Sequence, residues 1–214
     1  LKFSDTEKMI LLSVSFTVAL LVVRMVYAGN LTYIFYPWNL FLAMMPMYFS
    51  RQLKQAVMGY KTILLLCAWL LFFPNAPYLV TDIFHFEERP PVPQWFDLLI
   101  VVSGAWNGLL LCMVSLRQVE QFLSAYVKKK WLNTITVSFL FLCGYGIYLG
   151  RYLRYNSWDI FVKPITILNS SLHHVFQPVT YHSIWAFTIS FSAFLSLVYF
   201  SMKYVKLQAS NGEQ

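Results

Sequence analysis

The sequence predicts an all-α, polytopic integral membrane protein of about six transmembrane helices, and three observations carry that expectation. The 214 residues are 58% hydrophobic and 19% aromatic but only 12% charged, about half the charge of an ordinary soluble domain. A soluble fold of this size needs more polar side chains than that to cover its surface. Apolar runs long enough to cross a bilayer recur along the whole chain. Trp95, Trp131, Trp158, Tyr27 and Tyr204 fall near the ends of such runs, where aromatic rings favour the membrane interface. With no linker, low-complexity run or internal repeat to divide it, 1–214 reads as a single transmembrane domain.

A crossing helix needs about 20 mostly apolar residues to span roughly 30 Å of hydrocarbon. Residues 9–27 form the first such run, with Arg24 close enough to its end to snorkel. Lys2 and Lys8 before it, and Val26-Tyr27-Ala28 at its end, loosely resemble a signal peptide. The run exceeds the usual apolar core of about 7–15 residues, which favours a span. Further runs cover 31–49, 62–81, 95–116, 131–150 and 183–202.

Orientation follows from the basic residues of each loop. Lys2, Lys8, Arg51, Lys54, Lys61, Arg117, Lys128, Lys129, Lys130, Lys203 and Lys206 fall on the side of the termini. Arg24, Arg89, Arg151, Arg154 and Lys163 fall on the other. Both termini are therefore expected in the cytoplasm of a multi-pass cell-membrane protein. The net charge of +7 then reflects this bias and attraction to anionic membrane lipids. Charge dispersed among loops excludes a nucleic-acid-binding face. The expected cytoplasmic loops look like plain basic anchors, whereas all four histidines and five of the nine acidic residues lie on the outer side. Any site should face outward.

The third run ends in FFPNAPYLVTDIFHF, residues 72–86. Only about a dozen apolar residues precede Pro74, about 18 Å of helix and too short to cross. Pro74 and Pro77 each remove an amide donor and disfavour helix at the residue before them. The third helix should therefore break or kink there, and Asn75, a neighbouring helix or water should satisfy the freed carbonyls. Beyond the break, Asp82 and His85 lie three apart and share a face of any resumed turn. Two readings fit: a proline kink with Asp82 capping a short interfacial helix, or the edge of a cavity.

The second informative stretch is GYGIYLGRYLRYNSWD, residues 144–159. Gly146 and Gly150 have the spacing that lets another helix approach closely, as do Gly104 and Gly108 beside Asn107. The two glycine faces suggest that the fourth and fifth spans pack on each other. Arg151 and Arg154 follow the fifth span, one helical turn apart, on the side where basic residues are disfavoured. Their planar forks suit a phosphate or carboxylate. An ion pair with Asp82 or Asp159, or contact with lipid headgroups, fits the same residues.

Between the fifth and sixth spans, Ile165, Leu168, Leu172, Val175 and Phe176 recur at helical spacing. Pro164 sits at a tolerated first-turn position and Pro178 ends the run, so 164–177 reads as an interfacial amphipathic helix. His174 points away from its apolar stripe, His173 flanks it, and His182 opens the last span. No metal is expected, because no ligand spacing appears among these histidines. Cys67, Cys112 and Cys143 sit in apolar runs and read as small core residues. No nucleophile or phosphate-loop motif is present, and nothing in spacing sets Ser157, Ser170 or Ser171 apart.

NAPYLVTD with its following histidine, and then GRYLRYNSWD, resembles the bacterial membrane family catalogued as domain of unknown function 1361. The resemblance spans most of the chain. Asn75, Pro77, Tyr78, Asp82, His85, Gly150, Arg151, Arg154, Asn156, Ser157, Trp158 and Asp159 match its signature, and Tyr155 stands where the family has Trp. It implies a small polytopic membrane protein of bacteria, and no catalytic residue or cofactor comes with it.

The leading functional expectation is an enzyme at the outer leaflet, acting on a lipid-linked or phosphate-bearing substrate. Asp82 and His85 would form a carboxylate-oriented general base. Arg151 and Arg154 would hold the anion, with Asn75, Asn156 and Asp159 completing the substrate site. Asp82, His85, Arg151 and Asp159 should then lie together near the outer surface. A non-catalytic subunit or scaffold is the alternative. A small transporter using the broken third helix, which would need to form a homo-oligomer, is another.

Overall fold

The computed structural model describes residues 4–87 and 89–211, with the side chains of Gln55, His85 and residues 206–211 outside that description. Expectations resting on Lys2, Glu88, Lys206 or the His85 side chain lie outside the described residues. The described residues form helices joined by loops, with no strand among them. It divides into two compact units, Leu1–Phe122 and Leu123–Gln214.

The first unit holds α1 (Asp5–Ala28), α2 (Phe35–Gln52), a 3-10 turn over Leu53–Gln55, α3 (Tyr60–Phe72), α4 (Asn75–Tyr78), a second 3-10 stretch over Leu79–His85, and α5 (Gln94–Leu123). Ser4 and Glu7 start α1 with a reciprocal cap: each side chain accepts the other's amide, at 3.3 and 2.8 Å. Gly29, at φ 63°, ends it in the left-handed conformation, with its amide donating to the Met25 carbonyl. Between those ends α1 turns Leu11, Leu12, Phe16, Val22 and Val23 outward. Such an apolar exterior suits lipid and not water. Helix α5 supplies the core, burying Ile100, Val101, Leu111, Cys112 and Leu116.

The second unit holds α6 (Lys129–Arg151), α7 (Asp159–Val162), α8 (Pro164–Phe176) and α9 (His182–Asn211). Helices α6 and α9 pack through Leu140, Cys143, Ile147, Ile184 and Leu195. Gly144 makes this close approach feasible, because a Cβ there would meet Ser192 Oγ and the Thr188 carbonyl. Trp185 stacks against both Phe141 and Tyr145.

Five helical stretches are long and apolar enough to cross a membrane: Asp5–Ala28, Tyr60–Phe84, Gln94–Leu123, Lys129–Arg151 and His182–Val205. They make this an all-α, membrane-embedded protein. The expected second span, 31–49, is also helical, but α2 is not among the five. Tyr36, Asn39, Ser50, Arg51 and Gln52 dilute its apolar content, and Tyr36 is turned into the core. The tryptophans and tyrosines expected at span ends, Trp95, Trp131, Trp158, Tyr27 and Tyr204, are all exposed.

The third helix is interrupted where the prolines stand. The regular pattern stops at Phe72, resumes as the single turn of α4, and tightens to 3-10 from Leu79. Phe73 and Pro74 keep right-handed helical torsions, so the break lies in the hydrogen bonding and not in a reversal of the chain. The Ala76 amide moves to the Phe73 carbonyl at 3.3 Å, which Pro77 has no N–H to serve. That shift strands the Phe72 carbonyl, and Asn75 Nδ2 donates to it at 3.0 Å.

Packing accounts for the α5 glycines within their own unit and corrects one sequence reading. A Cβ on Gly104 would overlap the Tyr36 ring of α2, and one on Gly108 would run into the Ala76 carbonyl of α4. The interrupted helix is thus seated against α5 by a missing side chain. Cys67 is exposed, on the outer face of α3, while Cys112 and Cys143 are buried as expected.

Candidate functional site

In the first unit the Leu79–His85 stretch presents Asp82. Its carboxylate is 1% exposed, and Asn39 Nδ2 of α2 approaches Oδ2 at 3.5 Å. Thr81 is equally buried, its hydroxyl donating to the Tyr78 carbonyl at 2.7 Å. Residues three apart in a 3-10 helix eclipse one another, so backbone position 85 stands directly over position 82.

The largest polar feature of this unit was not foreseen. Arg24 does not snorkel. It is 1% exposed, with Nε donating to Asp97 Oδ1 at 2.7 Å and Nη2 to Asp97 Oδ2 at 3.2 Å. Nη1 donates to Asn30 Oδ1 at 3.0 Å, and the guanidinium lies over the Tyr33 ring, 4.6 Å from its centroid. Every arm of the fork is matched, which is what makes a buried charge tolerable. A second cluster corrects the reading of the basic loops as plain anchors. Buried Glu7 accepts from Lys54 Nζ at 3.2 Å and faces Arg51 Nε at 3.6 Å. A third lies within the spans. Asn107 Nδ2 donates to Thr17 Oγ1 at 2.8 Å and to the Ser13 carbonyl at 3.2 Å, and Thr17 in turn bonds Ser103.

In the second unit α6 ends at Arg151, so the two arginines do not share a helical turn. Arg154 stands in the loop at φ 57°, in the left-handed region that side chains with a Cβ rarely adopt, and is exposed. This bend returns the chain so that the Tyr155 amide reaches the Leu149 carbonyl at 3.1 Å. Asn156 and Asp159 do come together: Asp159 Oδ2 accepts the Asn156 amide at 2.7 Å and approaches its side-chain amide at 3.4 Å. The Asp159 amide closes the same turn on the Asn156 carbonyl at 2.9 Å. Asp159 therefore organises the NSWD turn.

Helix α8 inverts the usual amphipathic arrangement. Ile165, Leu168, Leu172, Val175 and Phe176 are exposed, and His174 is the residue it buries. Tyr145 Oη of α6 lies 2.8 Å from His174 Nδ1 and 3.0 Å from Ser171 Oγ. Trp185 Nε1 donates to the His174 carbonyl at 3.0 Å, and the Tyr181 ring meets the imidazole edge-on. Burial pushes the His174 imidazole below its ordinary value, and neighbouring His173 adds to that. Its spacing from Ser171, three residues on one helix face, was the signal that sequence reasoning passed over.

Asp82 and His85 thus belong to the first unit, and Arg151, Arg154, Asn156 and Asp159 to the second. Asn75 serves the helix break in the first. Among the described residues no group of three or more His, Cys, Asp or Glu side chains is placed to hold a metal ion.

The sequence profile of a family described as a protein of unknown function, DUF1361, matches residues 38–198. This chain belongs to the DUF1361 family. No curated protein and no solved structure is detectably similar to it. The DUF1361 match takes in both motif stretches and the Ser171–Tyr145–His174 contacts, and begins after Arg24.

Proposed function

We propose that this DUF1361 protein is an enzyme of the bacterial cell membrane, multi-pass with cytoplasmic termini, that acts at the outer face on a lipid-linked or phosphate-bearing substrate. In this reading Asp82 orients His85 as a general base, and Arg151 and Arg154 hold the substrate anion. Asn75, Asn156 and Asp159 shape the surrounding backbone. The observation that carries the proposal is the placement of Asp82, a carboxylate almost fully buried one 3-10 turn from a histidine position. Exposed Arg154, held at positive φ, supports the anion site, since strained backbone concentrates where function needs it.

A scaffold is the second reading, and specific contacts favour it. Asn75 bonds the Phe72 carbonyl and Asp159 bonds the Asn156 amide, so two of the motif residues already have local structural work. Native mass spectrometry of protein extracted with its lipids separates the two readings. The enzyme reading expects His85→Ala to retain a lipid-linked species that the wild-type protein turns over, with an unchanged thermal midpoint. Identical bound lipids, with a stability loss matching that of Arg151→Ala, would leave the scaffold. Orientation has its own test: single cysteines at positions 129 and 88 should react from the inside and the outside respectively.

A further inference from the structure

Helix α8 puts its one buried polar side chain where an amphipathic helix ordinarily puts an apolar one. His174 is 5% exposed, while Ile165 and Phe176 on the same helix are 73% and 77% exposed. A helix turned this way lies with its stripe in lipid and its polar contacts toward the protein. The polar side holds three groups in a chain: Ser171 Oγ, Tyr145 Oη at 3.0 Å, then His174 Nδ1 at 2.8 Å. Ser171 is partly exposed and His174 sits beneath it, held by Trp185 and Tyr181. A nucleophile at the surface with an oriented base behind it is the order that covalent catalysis uses.

We propose that Ser171 is the nucleophile of a second site in this protein, and that Tyr145 and His174 carry its proton. The substrate is an acyl ester of a membrane lipid. An interfacial helix rests about 5–10 Å into the boundary between headgroups and acyl chains, the depth at which lipid ester carbonyls lie. The inference is confined to the second unit and does not rest on Asp82 or His85.

The hydroxyl protons can run in one direction. Ser171 Oγ–H donates to Tyr145 Oη, and Tyr145 Oη–H donates to His174 Nδ1. Attack forms the bond from Ser171 Oγ to the carbonyl carbon. The serine proton moves to Tyr145 as the tyrosine proton moves to His174 Nδ1. Collapse breaks the bond to the lipid alcohol, which leaves with the proton returned along the same path. Water, as co-reactant, then releases the fatty acid from Ser171 and restores the resting state. His174 must begin neutral, and its burial among Tyr145, Tyr181 and Trp185 favours that form. Among the described residues, Tyr145 and Tyr181 face it and His173 neighbours it on its own helix.

A fluorophosphonate probe tests the proposal on the full-length protein in lipid nanodiscs, since fluoride leaves phosphorus by the same proton path. Intact mass should show one adduct, and peptide mapping should place it on Ser171. Ser171→Ala should abolish it, and Ser170→Ala should leave it unchanged. Tyr145→Phe and His174→Gln should each slow labelling by about 10²-fold or more, the low end for loss of acid–base assistance. The wild-type rate should fall on acidification as His174 takes up a proton, with a midpoint below its ordinary 6.5. If either relay variant loses its folded elution peak, that pH profile carries the test. An unlabelled wild-type protein, an adduct that survives Ser171→Ala, or a flat pH profile would each overturn the proposal.

Discussion

Arg24 and Arg154 both stand close to the end of an apolar helical run, yet the two units treat them in opposite ways. In the first unit Arg24 is drawn inside, matched arm by arm to Asp97 and Asn30 and covered by Tyr33. In the second unit Arg154 is left exposed, on a backbone bend that would suit glycine better. A charge that is buried and fully matched is explained by folding alone. An exposed charge on strained backbone is not, and that contrast is why Arg154 enters the proposed anion site. The first unit hides Arg24, Asp97, Glu7 and Asn107 in helix contacts, whereas the second leaves Arg154 at its surface.

The sharpest way to break this comparison is at Arg24. Arg24→Ala should leave the Asp97 carboxylate buried without its partner, at a cost of about 3–5 kcal/mol. Thermal unfolding in detergent should show a large drop, and the double replacement of Arg24 and Asp97 by apolar residues should recover much of it. A drop no larger than that of an exposed ion pair, below about 1 kcal/mol, would mean that the pair does not hold the first unit together.

Acidification should act on the second unit. The His174 value is lowered in the folded protein, so the unfolded chain binds more protons just below pH 6.5. The stabilisation is therefore full above that value and is lost as the pH falls toward the lowered one. The thermal midpoint should decline over that window, and His174→Gln should flatten the decline. An unchanged slope in the variant would assign the decline to other groups.

A smaller effect is expected at Asp159. Asp159→Ala removes the acceptor of the Asn156 amide in a turn that water can reach, so the cost should be about 1 kcal/mol. The check is a thermal midpoint compared with that of Asp159→Asn, which keeps an acceptor oxygen and should lose less. Equal losses would show that charge, and not the turn-closing hydrogen bond, is what Asp159 contributes.

Much of this was legible because it is local. Pro74 and Pro77 announce their own break, and Asn75 is close enough to the stranded carbonyl to be named in advance. The apolar spacing of 164–177 marks α8 without reference to any other helix. What was not legible is pairing at a distance. Arg24 and Asp97 are 73 residues apart, and each alone looks like a charge near a span end. The same holds for Gly108, whose spacing announces a close neighbour but cannot say that the neighbour is Ala76 of α4. Glu7 was a missed local signal, since Ser4 and Glu7 have the spacing of a reciprocal cap. Ser171 stands three residues before His174, a spacing too common on helices to single it out; its place emerges only when Tyr145, 26 residues earlier, is brought beside both.

The smallest expected effect sharpens the comparison most, because it runs against intuition. Removing a large charged side chain usually lowers stability or leaves it unchanged. Arg154→Gly should raise it slightly. The left-handed conformation costs a residue with a Cβ about 1–2 kcal/mol, and glycine escapes that cost. Glycine gives back about 0.5–1 kcal/mol through the greater freedom of its unfolded chain. The net gain should lie between about 0 and 1.5 kcal/mol, visible as a small upward shift in thermal midpoint. Arg154→Ala, with a Cβ and no charge, should show no such gain. If Arg154 holds a substrate anion, both variants should bind phosphate-bearing lipid more weakly in native mass spectra, so that stability and binding move in opposite directions for the glycine variant alone. A destabilised Arg154→Gly protein would place Arg154 with Arg24, as a residue that the fold itself requires.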